Sequence, residues 1–413
     1  MRVLVMGGGV VGVTSAYQLQ RDGHEVVLIE RRAEVAAETS WGNAGMIAPG
    51  HSFVWSSPAA PGILLRSLFQ RDQALRFRPS IGPRGWLWSA RFLAQCTHAR
   101  ATANTLRKHR IAAYSQTVLH ETLAEETIEY GRNARGILYF YRDAGAFARG
   151  VAHMKILADD GQEIRVLDRD AVVALEPSLS EARERIAGGI YCPTDETGDC
   201  NRFTRALAAI CAERGAEIRT DTTIDAIEAA GDAVSAVRCG NERIVADAYV
   251  LALGNYSPTL ARTIGVDLPI YPVKGYSLTI PVGNNRAPPT IGAVDEDNLV
   301  AITCFGDRMR VTATAEIAGY DTSHKPADFT YMARVARELY PDGADHDRAE
   351  MWAGLRPMTP TNLPALGRAR HKNLWFNCGH GHIGWTMSHG TARMTADMIA
   401  GREPALPATG LAV

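Results

Sequence analysis

Residues 1–32, MRVLVMGGGVVGVTSAYQLQRDGHEVVLIERR, predict a strand, a glycine turn, a helix and a second strand in that order. Gly7, Gly9 and Gly12 have the G-x-G-x-x-G spacing, and Glu30 closes the second strand. In such a unit the first glycine permits a tight turn, the second lets the backbone approach a pyrophosphate, and the third lets the helix pack on the strand. The stretch therefore predicts a Rossmann-like dinucleotide site in which Glu30 accepts hydrogen bonds from ribose hydroxyls.

Two later glycine-rich segments bear on whether the dinucleotide is NAD or FAD, because the first 32 residues fit both. Gly254 ends a buried-type strand, and residues 379–384, GHGHIG, lie between a strand and a closing helix. The N–H groups and positive helix end of the second segment suit the negative charge that develops near N1 of a reduced flavin. An NAD site needs only the first glycine turn, so the three segments together favour FAD.

The length of 413 residues predicts two domains, since a single core rarely grows beyond about 300 residues. Strand–helix–strand patterns return after a long insertion, which indicates one nucleotide domain split in sequence. The predicted fold class is α/β plus α+β, with a split Rossmann-like FAD-binding domain and an antiparallel-sheet substrate domain. We assign residues 1–50, 193–268 and 350–413 to the first domain, and 51–192 and 269–349 to the second.

Composition excludes several classes of function. Lys and Arg total 44 against 45 Asp and Glu, so no global basic field attracts nucleic acid. The seven cysteines are scattered without a C-x-x-C pair, which argues against a metal site and fits the reducing cytoplasm. The chain begins directly with a strand, so we expect no signal peptide. No apolar run reaches the roughly 20 residues that cross a bilayer.

Residues 52–95 are unusually rich in tryptophan and arginine, with Asp72 as the only acid. Aromatic residues beside cations suit a membrane interface, which would place the protein at the inner face of the cytoplasmic membrane. The alternative is a pair of core-packing helices with arginines on their solvent face. The sequence leaves both interpretations open.

Arg356 is a candidate for binding a carboxylate. It lies among apolar residues in 352–367, WAGLRPMTPTNLPALG, where a charge needs a partner. Its planar guanidinium suits a carboxylate with two parallel hydrogen bonds, and a structural salt bridge to an acidic residue of the chain would satisfy it equally. Tyr276, in YPVKGYSLTI, either lies over a pocket or packs in the core. The histidines show no metal-binding spacing, and no G-x-S-x-G element indicates a hydrolase.

Several of these segments together resemble one family, the flavin-containing D-amino acid dehydrogenases of bacteria, within the D-amino acid oxidase-like superfamily. The resemblance runs nearly from end to end. It is carried by MGGGVVGVTSAYQL (6–19), ETSWGNAGMIAPG (38–50), PTDETGDCNRFT (193–204), YPVKGYSLTIP (271–281), GLRPMTPTNLPALGR (354–368) and NLWFNCGHGHIGWTMSHG (373–390).

The resemblance implies an FAD-binding set and a catalytic set. The FAD is expected to be non-covalent, because the covalently flavinylated relatives attach it through a cysteine that residues 352–368 lack. Arg356 would hold the substrate carboxylate, with Tyr276 and His380 as further catalytic candidates. The expected cofactor-binding residues are Gly7, Gly9, Val10, Val11, Gly12, Glu30, Arg31, Thr39, Ser40, Asn43, Ala44, Gly45, Met46, Gly254, Gly381, His382, Ile383, Gly384, Trp385 and Thr386.

The implied reaction is oxidation of a D-amino acid to a 2-oxo acid and ammonia, by hydride transfer from the α-carbon to FAD N5. Electrons would pass to a quinone or the respiratory chain, and no side-chain general base is strictly required. Departures from the family pattern, such as residues 359–364 and His382, leave the substrate open. The alternatives are a dehydrogenase or oxidase of D-proline, D-hydroxyproline or another secondary amine (glycine or sarcosine type), and an FAD-bound subunit that serves mainly in assembly.

Overall fold

A computed structural model of the chain describes residues 1–67, 75–77, 82–284 and 286–408. Its helices are α1 (Val10–Arg21), α2 (Ala60–Ser67), α3 (Gly82–Gln95), α4 (His98–Glu125), α5 (Ala144–Asp159), α6 (Arg169–Leu175), α7 (Cys200–Glu213), α8 (Ser257–Ala261), α9 (Thr330–Leu339) and α10 (Gly384–Ile399). Its strands are β1 (Arg2–Met6), β2 (Glu25–Ile29), β3 (Met46–Ile47), β4 (Leu75–Phe77), β5 (Ile137–Tyr141), β6 (Arg165–Asp168), β7 (Gly188–Cys192), β8 (Glu196–Thr197), β9 (Glu217–Arg219), β10 (Ala226–Ala230), β11 (Ala233–Cys239), β12 (Glu242–Ile244), β13 (Ala248–Leu251), β14 (Tyr271–Pro281), β15 (Gly292–Asp295), β16 (Val300–Cys304), β17 (Arg308–Ile317), β18 (Glu350–Met358), β19 (Ala365–Arg368) and β20 (Leu374–Cys378).

The first sheet has six strands in the order β19-β20-β13-β1-β2-β9 and is parallel except at β19. Successive residues of β1 point to opposite faces, as the period of a strand requires. Val3 and Val5 face α1, α7 and α10, whereas Leu4 and Met6 face the small β10–β12 sheet. Both faces are buried from Val3 to Met6, which explains why these four residues of β1 are all apolar. The sheet is therefore the nucleotide-binding layer that residues 1–32 predict.

The second sheet is larger and mainly antiparallel, in the order β18-β14-β17-β16-β15-β5-β7-β6, with β4 paired to β17. Strand β14 is paired along both edges, with β17 on one side and β18 on the other. Its inner face shares a core with α9. The combination of this sheet with the nucleotide layer confirms the predicted fold class.

Two elements cross the domain boundaries that the sequence suggested. Strand β18, assigned to the FAD-binding domain from residue 350 onward, pairs with β14 and belongs to the large sheet. Helix α4, assigned to the substrate domain, packs against α10 of the nucleotide layer. Both elements contact segments that are distant in the sequence, so their order in the sequence does not reveal which layer they join.

The segment 52–95 is divided between core and surface. On α3, Trp88 and Phe92 are buried against Tyr271, while Trp86 and Leu93 are exposed. Residues 68–74 and 78–81 of this segment lie outside the described part of the chain. Among the described helices, none combines the length and the apolar character needed to cross a bilayer.

Candidate active site

The glycine turn after β1 is fixed by close backbone contacts. Gly7 has a φ of 111°, and a Cβ on it would lie 2.7 Å from the carbonyl oxygen of Ala252. A Cβ on Gly12 would lie 1.8 Å from the carbonyl oxygen of Gly7. Gly9 differs, because the nearest atom to its Cβ position is Ser40 Oγ at 3.5 Å. Gly7 and Gly12 are thus required by the fold, whereas Gly9 leaves open space beside the turn.

Polar groups surround that space. Glu30 Oε2 accepts a hydrogen bond from the Gly8 N–H at 2.8 Å, and Ser40 Oγ accepts one from the Val10 N–H at 3.0 Å. The guanidinium of Arg31 lies 3.8 Å above the ring of Tyr256. These groups give the carboxyl end of β1 a carboxylate, a hydroxyl and a cation, which is the donor and acceptor set that a nucleotide's ribose and phosphates require.

One cavity of about 1260 Å³ connects this turn to the other predicted segments. It exceeds the volume of most small-molecule sites. Of the residues predicted to bind cofactor or substrate, all but Gly12 and Thr386 line it. Helices α1 and α10 both begin at the cavity, and neither N-cap residue, Gly9 or Ile383, caps its helix with a side-chain hydrogen bond. The uncapped helix ends and the open space at Gly9 fit a long dinucleotide that needs anion-binding N–H groups at both ends.

The last glycine loop is held in place by contacts of the two residues that follow it, Trp385 and Thr386. Thr386 Oγ1 accepts a hydrogen bond from the Ala48 N–H at 3.1 Å, which ties α10 to the segment after β3. Trp385 is buried against Tyr130 and Phe203. These contacts position the loop 379–384, and the cofactor-binding role of Thr386 stays a prediction.

Arg356 reaches the cavity from β18. Its Nη1 donates to the carbonyl oxygen of Thr314 at 3.0 Å and lies 3.4 Å from that of Lys274. No carboxylate lies within 4.0 Å of the guanidinium among the described residues. Burial lowers the pKa of Arg356 to about 10, and no acidic group opposes this shift. The sequence allowed a structural salt bridge between Arg356 and an acidic residue, and no such salt bridge is present in the described part of the chain. The Arg356 guanidinium therefore still needs an anion.

In the other two catalytic candidates, the Tyr276 hydroxyl and His380 Nε2 each have a partner within the protein. The Tyr276 hydroxyl donates a hydrogen bond to Glu316. Burial is the main cause that raises the pKa of Tyr276, and the Glu316 carboxylate raises it further. His380 Nε2 lies 2.9 Å from Thr391 Oγ1, and burial lowers the histidine pKa to about 3. Their catalytic roles stay predictions, and Arg356 is the candidate with an unmatched charge.

The sequence analysis did not identify three residues that line the cavity or lie next to it. The Trp55 ring stacks on His382 with centroids 4.6 Å apart, and Arg356 Cζ lies 5.8 Å from the Trp55 centroid. His51 meets the edge of His382 at 6.2 Å. Lys108 Nζ lies 3.1 Å from His382 Nε2. A signal for Lys108 was present, because it falls three and four residues before the apolar Ile111 and Ala112 of the same helix.

The sequence matches the family described as FAD dependent oxidoreductase over residues 2–398. It is similar to D-amino acid dehydrogenase 2 of Mesorhizobium japonicum, with 45% identity over all of this chain and 99% of that protein. It is also 43% identical to a D-amino acid dehydrogenase of Paramagnetospirillum magneticum, over 100% of this chain and 98% of the relative.

A solved structure shows the same fold at lower sequence identity. Glycine oxidase from Geobacillus kaustophilus superposes with a TM-score of 0.76, covering 100% of this chain and 98% of that one at 23% identity. The fold is therefore shared between the two chains, with the large antiparallel sheet and the nucleotide layer both included.

Proposed function

Because the chain belongs to the family of FAD dependent oxidoreductases, we propose that its cavity oxidises D-amino acids to 2-oxo acids and ammonia. The protein is an FAD-dependent D-amino acid dehydrogenase, like the relatives that share 42–45% of its sequence over their whole length. When bound, FAD supplies the acceptor for the hydride that leaves the substrate α-carbon.

The residues of the chain divide the cavity into a cofactor part and a substrate part. The glycine turn, Glu30 and Ser40 would hold the nucleotide half of FAD, and the loop 379–384 would face its ring. No cysteine lies in 352–368, so the protein holds the cofactor by non-covalent contacts. Arg356 and Trp55 are left to contact the substrate.

The observation that carries the proposal is the unmatched charge of Arg356. Arg356 is half-buried and lines the cavity, and a guanidinium largely withdrawn from bulk water is costly to keep without an anion. An amino acid carboxylate fits its fork with two parallel hydrogen bonds. The carbonyl oxygen of Thr314 and the indole of Trp55 fix the fork from one side, so a bound carboxylate would be oriented as well as attracted. Orientation of this kind lowers the barrier to hydride transfer.

A substrate panel tests this function. The purified holoprotein is mixed anaerobically with D-alanine, D-proline, glycine, sarcosine and the L-enantiomers, and the flavin absorption band is followed. We expect bleaching by D-amino acids and none by L-alanine, and Arg356→Met should lose most of the rate while keeping its flavin. Bleaching by glycine or sarcosine alone would replace the D-amino acid assignment with a secondary-amine or glycine-type activity.

For the electron acceptor, we propose a quinone that approaches through an apolar rim at the cavity mouth. This apolar rim consists of Ile63 and Leu65 on α2 and Trp86 and Leu93 on α3, all exposed and all lining the cavity. Arg84 and Arg91 are exposed on the same helix α3. Apolar side chains beside cations support contact with an anionic membrane surface.

Two measurements test the acceptor and the membrane contact. Reoxidation of the reduced enzyme by a soluble ubiquinone analogue should be much faster than by oxygen. The wild type should sediment with vesicles that contain anionic lipid, and the double variant Trp86→Ser/Leu93→Ser should not. Fast reoxidation by oxygen would identify an oxidase, and equal sedimentation of both proteins would remove the rim from the membrane contact.

A further inference from the structure

The floor of the cavity continues across the large sheet to the turn between β15 and β16. Val294, Ala301 and Thr312 lie on one line across β15, β16 and β17, and all three line the cavity. Because β15 and β17 are both antiparallel to β16, they run in the same direction. Two residues further along the chain from this line are Glu296 and Thr314, and both of them line the cavity as well. Glu296 and Thr314 therefore occupy corresponding positions on the face of the sheet that lines the cavity.

The separation of Arg356 and Glu296 follows from this arrangement. Arg356 Nη1 donates to the carbonyl oxygen of Thr314 on β17, and the guanidinium lies over the neighbouring strand β14. Neighbouring strands are about 4.8 Å apart, so two to three strand spacings place Glu296 roughly 10–14 Å from the guanidinium. The two residues are thus charged groups of opposite sign at the two ends of one stretch of cavity floor.

The carboxylate of Glu296 accepts no hydrogen bond from the described residues. Glu30 and Glu38, the other two acids among the described lining residues, are engaged by backbone N–H groups and by two arginines respectively. Glu296 Oε1 lies 3.5 Å from His51 Nε2, which is longer than a well-formed hydrogen bond. The Glu296 side chain is only 19% exposed. A carboxylate so largely withdrawn from water is stabilised by a cation that supplies hydrogen bonds.

The other ionisable groups at this end of the cavity do not supply that cation. Tyr141 and His153 line the cavity here. Burial raises the pKa of Tyr141 and lowers the pKa of His153, so both side chains are uncharged at neutral pH. Among the described lining residues, the arginines are Arg31 and Arg356, and there is no lysine. Glu296 therefore makes this end of the cavity negative.

The surface between Arg356 and Glu296 suits a chain of methylene groups. Val294 and Ala301 are buried, apolar and paired across β15 and β16. Asp295 holds the following turn in place, because its carboxylate accepts from Arg142 Nε at 2.7 Å and from the Asn298 amide at 2.8 Å. The carboxylate of Glu296 is thus presented by a fixed turn at the end of an apolar floor.

We propose that this end of the cavity is a subsite for a cationic side chain, through which Glu296 selects D-amino acids such as D-lysine and D-arginine. This inference rests on the proposed function. Arg356 holds the α-carboxylate, the methylene chain lies over Val294 and Ala301, and the terminal cation donates to Glu296. An extended lysine places its ammonium about 7 Å from its carboxylate carbon, and a hydrogen bond at each end adds about 3 Å. That length agrees with the separation of Arg356 and Glu296.

The contact should act on binding rather than on the chemical step. A hydrogen bond in which both partners are charged is roughly twice as strong as a neutral one. The terminal group of the side chain is remote from the α-carbon, so its interaction with Glu296 is the same before and during hydride transfer. Loss of such an interaction raises KM and leaves kcat unchanged.

The first test compares D-lysine with D-norleucine, which has the same carbon chain without the terminal ammonium. kcat and KM for both are measured in the holoenzymes of the wild type, Glu296→Gln and Asp297→Asn. Asp297 is the matched control, because it lies in the same turn but does not line the cavity, and asparagine can still accept from the Asp143 N–H. In Glu296→Gln we expect the ratio of kcat/KM for D-lysine to that for D-norleucine to fall by about tenfold or more, through KM. Asp297→Asn should keep the wild-type ratio.

A second test measures binding without turnover. 6-Aminohexanoate has both charged ends of lysine but no α-amine to oxidise, and hexanoate lacks the terminal ammonium as well. The change in flavin absorption on titration gives both dissociation constants. We expect the wild type to bind 6-aminohexanoate about tenfold or more tightly than hexanoate, and Glu296→Gln to bind the two with similar affinity.

The outcomes separate the subsite from the reaction. Three results would each overturn the subsite while D-alanine is still oxidised: equal affinities for the two acids in the wild type, an unchanged substrate ratio in Glu296→Gln, or an equal fall in Asp297→Asn. A wild type that prefers 6-aminohexanoate but oxidises no D-amino acid would overturn the dehydrogenase function and, with it, the assignment of D-lysine and D-arginine as substrates.

Discussion

Gly275 of β14 lies directly beneath the guanidinium of Arg356 on β18. A Cβ on Gly275 would lie 2.2 Å from Arg356 Nη1 and 2.5 Å from Cζ. The neighbouring strands are in register at this point, with Val273 opposite Arg356. Glycine is therefore the residue that lets the arginine side chain lie across β14 toward the cavity.

Replacing this glycine should displace the arginine without removing its charge. We expect Gly275→Ala to lower kcat/KM for D-amino acids by about 100-fold, since a shift of about 1 Å in a positioning group costs that much. Gly283→Ala is the control, because the nearest atom to its Cβ position is Arg286 Cγ at 4.0 Å. Steady-state kinetics on the two holoenzymes would decide, and equal rates would mean that the fork does not hold the carboxylate.

The indole of Trp55, which stacks on His382, should contribute to activity through its aromatic ring. Aromatic pairs of this kind are worth about 0.5–1.5 kcal/mol beyond their buried area. We expect Trp55→Phe to keep activity within about tenfold of the wild type and Trp55→Ala to lose more than that. Anaerobic flavin-reduction rates measure both. Equal flavin-reduction rates in the alanine and phenylalanine variants would show that an aromatic ring at position 55 is not needed for activity.

Alanine substitutions at Gly9 and Gly12 should distinguish an effect on cofactor binding from an effect on folding. Gly12→Ala puts a Cβ 1.8 Å from the Gly7 carbonyl oxygen, so we expect a misfolded or strongly destabilised protein. Gly9→Ala meets Ser40 Oγ at 3.5 Å, an ordinary contact, so its apoprotein should keep the wild-type thermal midpoint. The new methyl group instead occupies space needed by the pyrophosphate. Flavin content after reconstitution should fall in Gly9→Ala, and full flavin content there would place the phosphates elsewhere.

Asp195 should make the stability of the protein depend on pH. Its carboxyl group accepts hydrogen bonds from the Tyr139 hydroxyl at 2.6 Å and the Gly50 N–H at 3.0 Å. Burial raises its pKa to about 7, and the two hydrogen bonds only partly oppose this. In the unfolded chain the carboxyl ionises near pH 4. The folded state thus binds the additional proton between about pH 4 and 7, and its stability falls as the pH rises through that window.

Asp195→Asn imitates the protonated carboxyl and should remove this slope. We expect the thermal midpoint of the wild-type apoprotein to drop more steeply than that of the variant between pH 5 and 7.5. Asp159→Asn, at an exposed carboxylate, should follow the wild type. Parallel curves for the wild type and Asp195→Asn would show that the carboxyl is already ionised in the folded protein.

Local patterns predicted the parts of the site that are built from consecutive residues. The turn at Gly7, the acid at Glu30 and the loop 379–384 each follow from spacing along a few residues, and the structure brings them to one cavity. The carboxylate role of Arg356 came from the resemblance, because its apolar surroundings alone allowed a salt bridge.

Contacts between distant segments were not predictable in this way. Lys108 and His382 are 274 positions apart in the sequence, and nothing near either residue indicates the other. Trp55 was interpreted only as part of a membrane-facing or core-packing segment, because its partners Arg356 and His382 lie on other elements. The sequence likewise assigned β18 to the FAD-binding domain, and its pairing with β14 of the large sheet is a tertiary property that local patterns do not indicate.

The strand order of the nucleotide layer has a consequence for synthesis on the ribosome. β1 and β2 emerge first, but β1 gains its other neighbour only at residue 248, and β20 follows at residue 374. The N-terminal pair β1–β2 must therefore wait, with one edge of β1 uncovered, until β13 (Ala248–Leu251) has been translated. Chaperone capture of nascent chains should be greatest during that interval. A prematurely terminated chain would lack both β20 and the loop 379–384, so retention of the yellow cofactor reports that translation was completed.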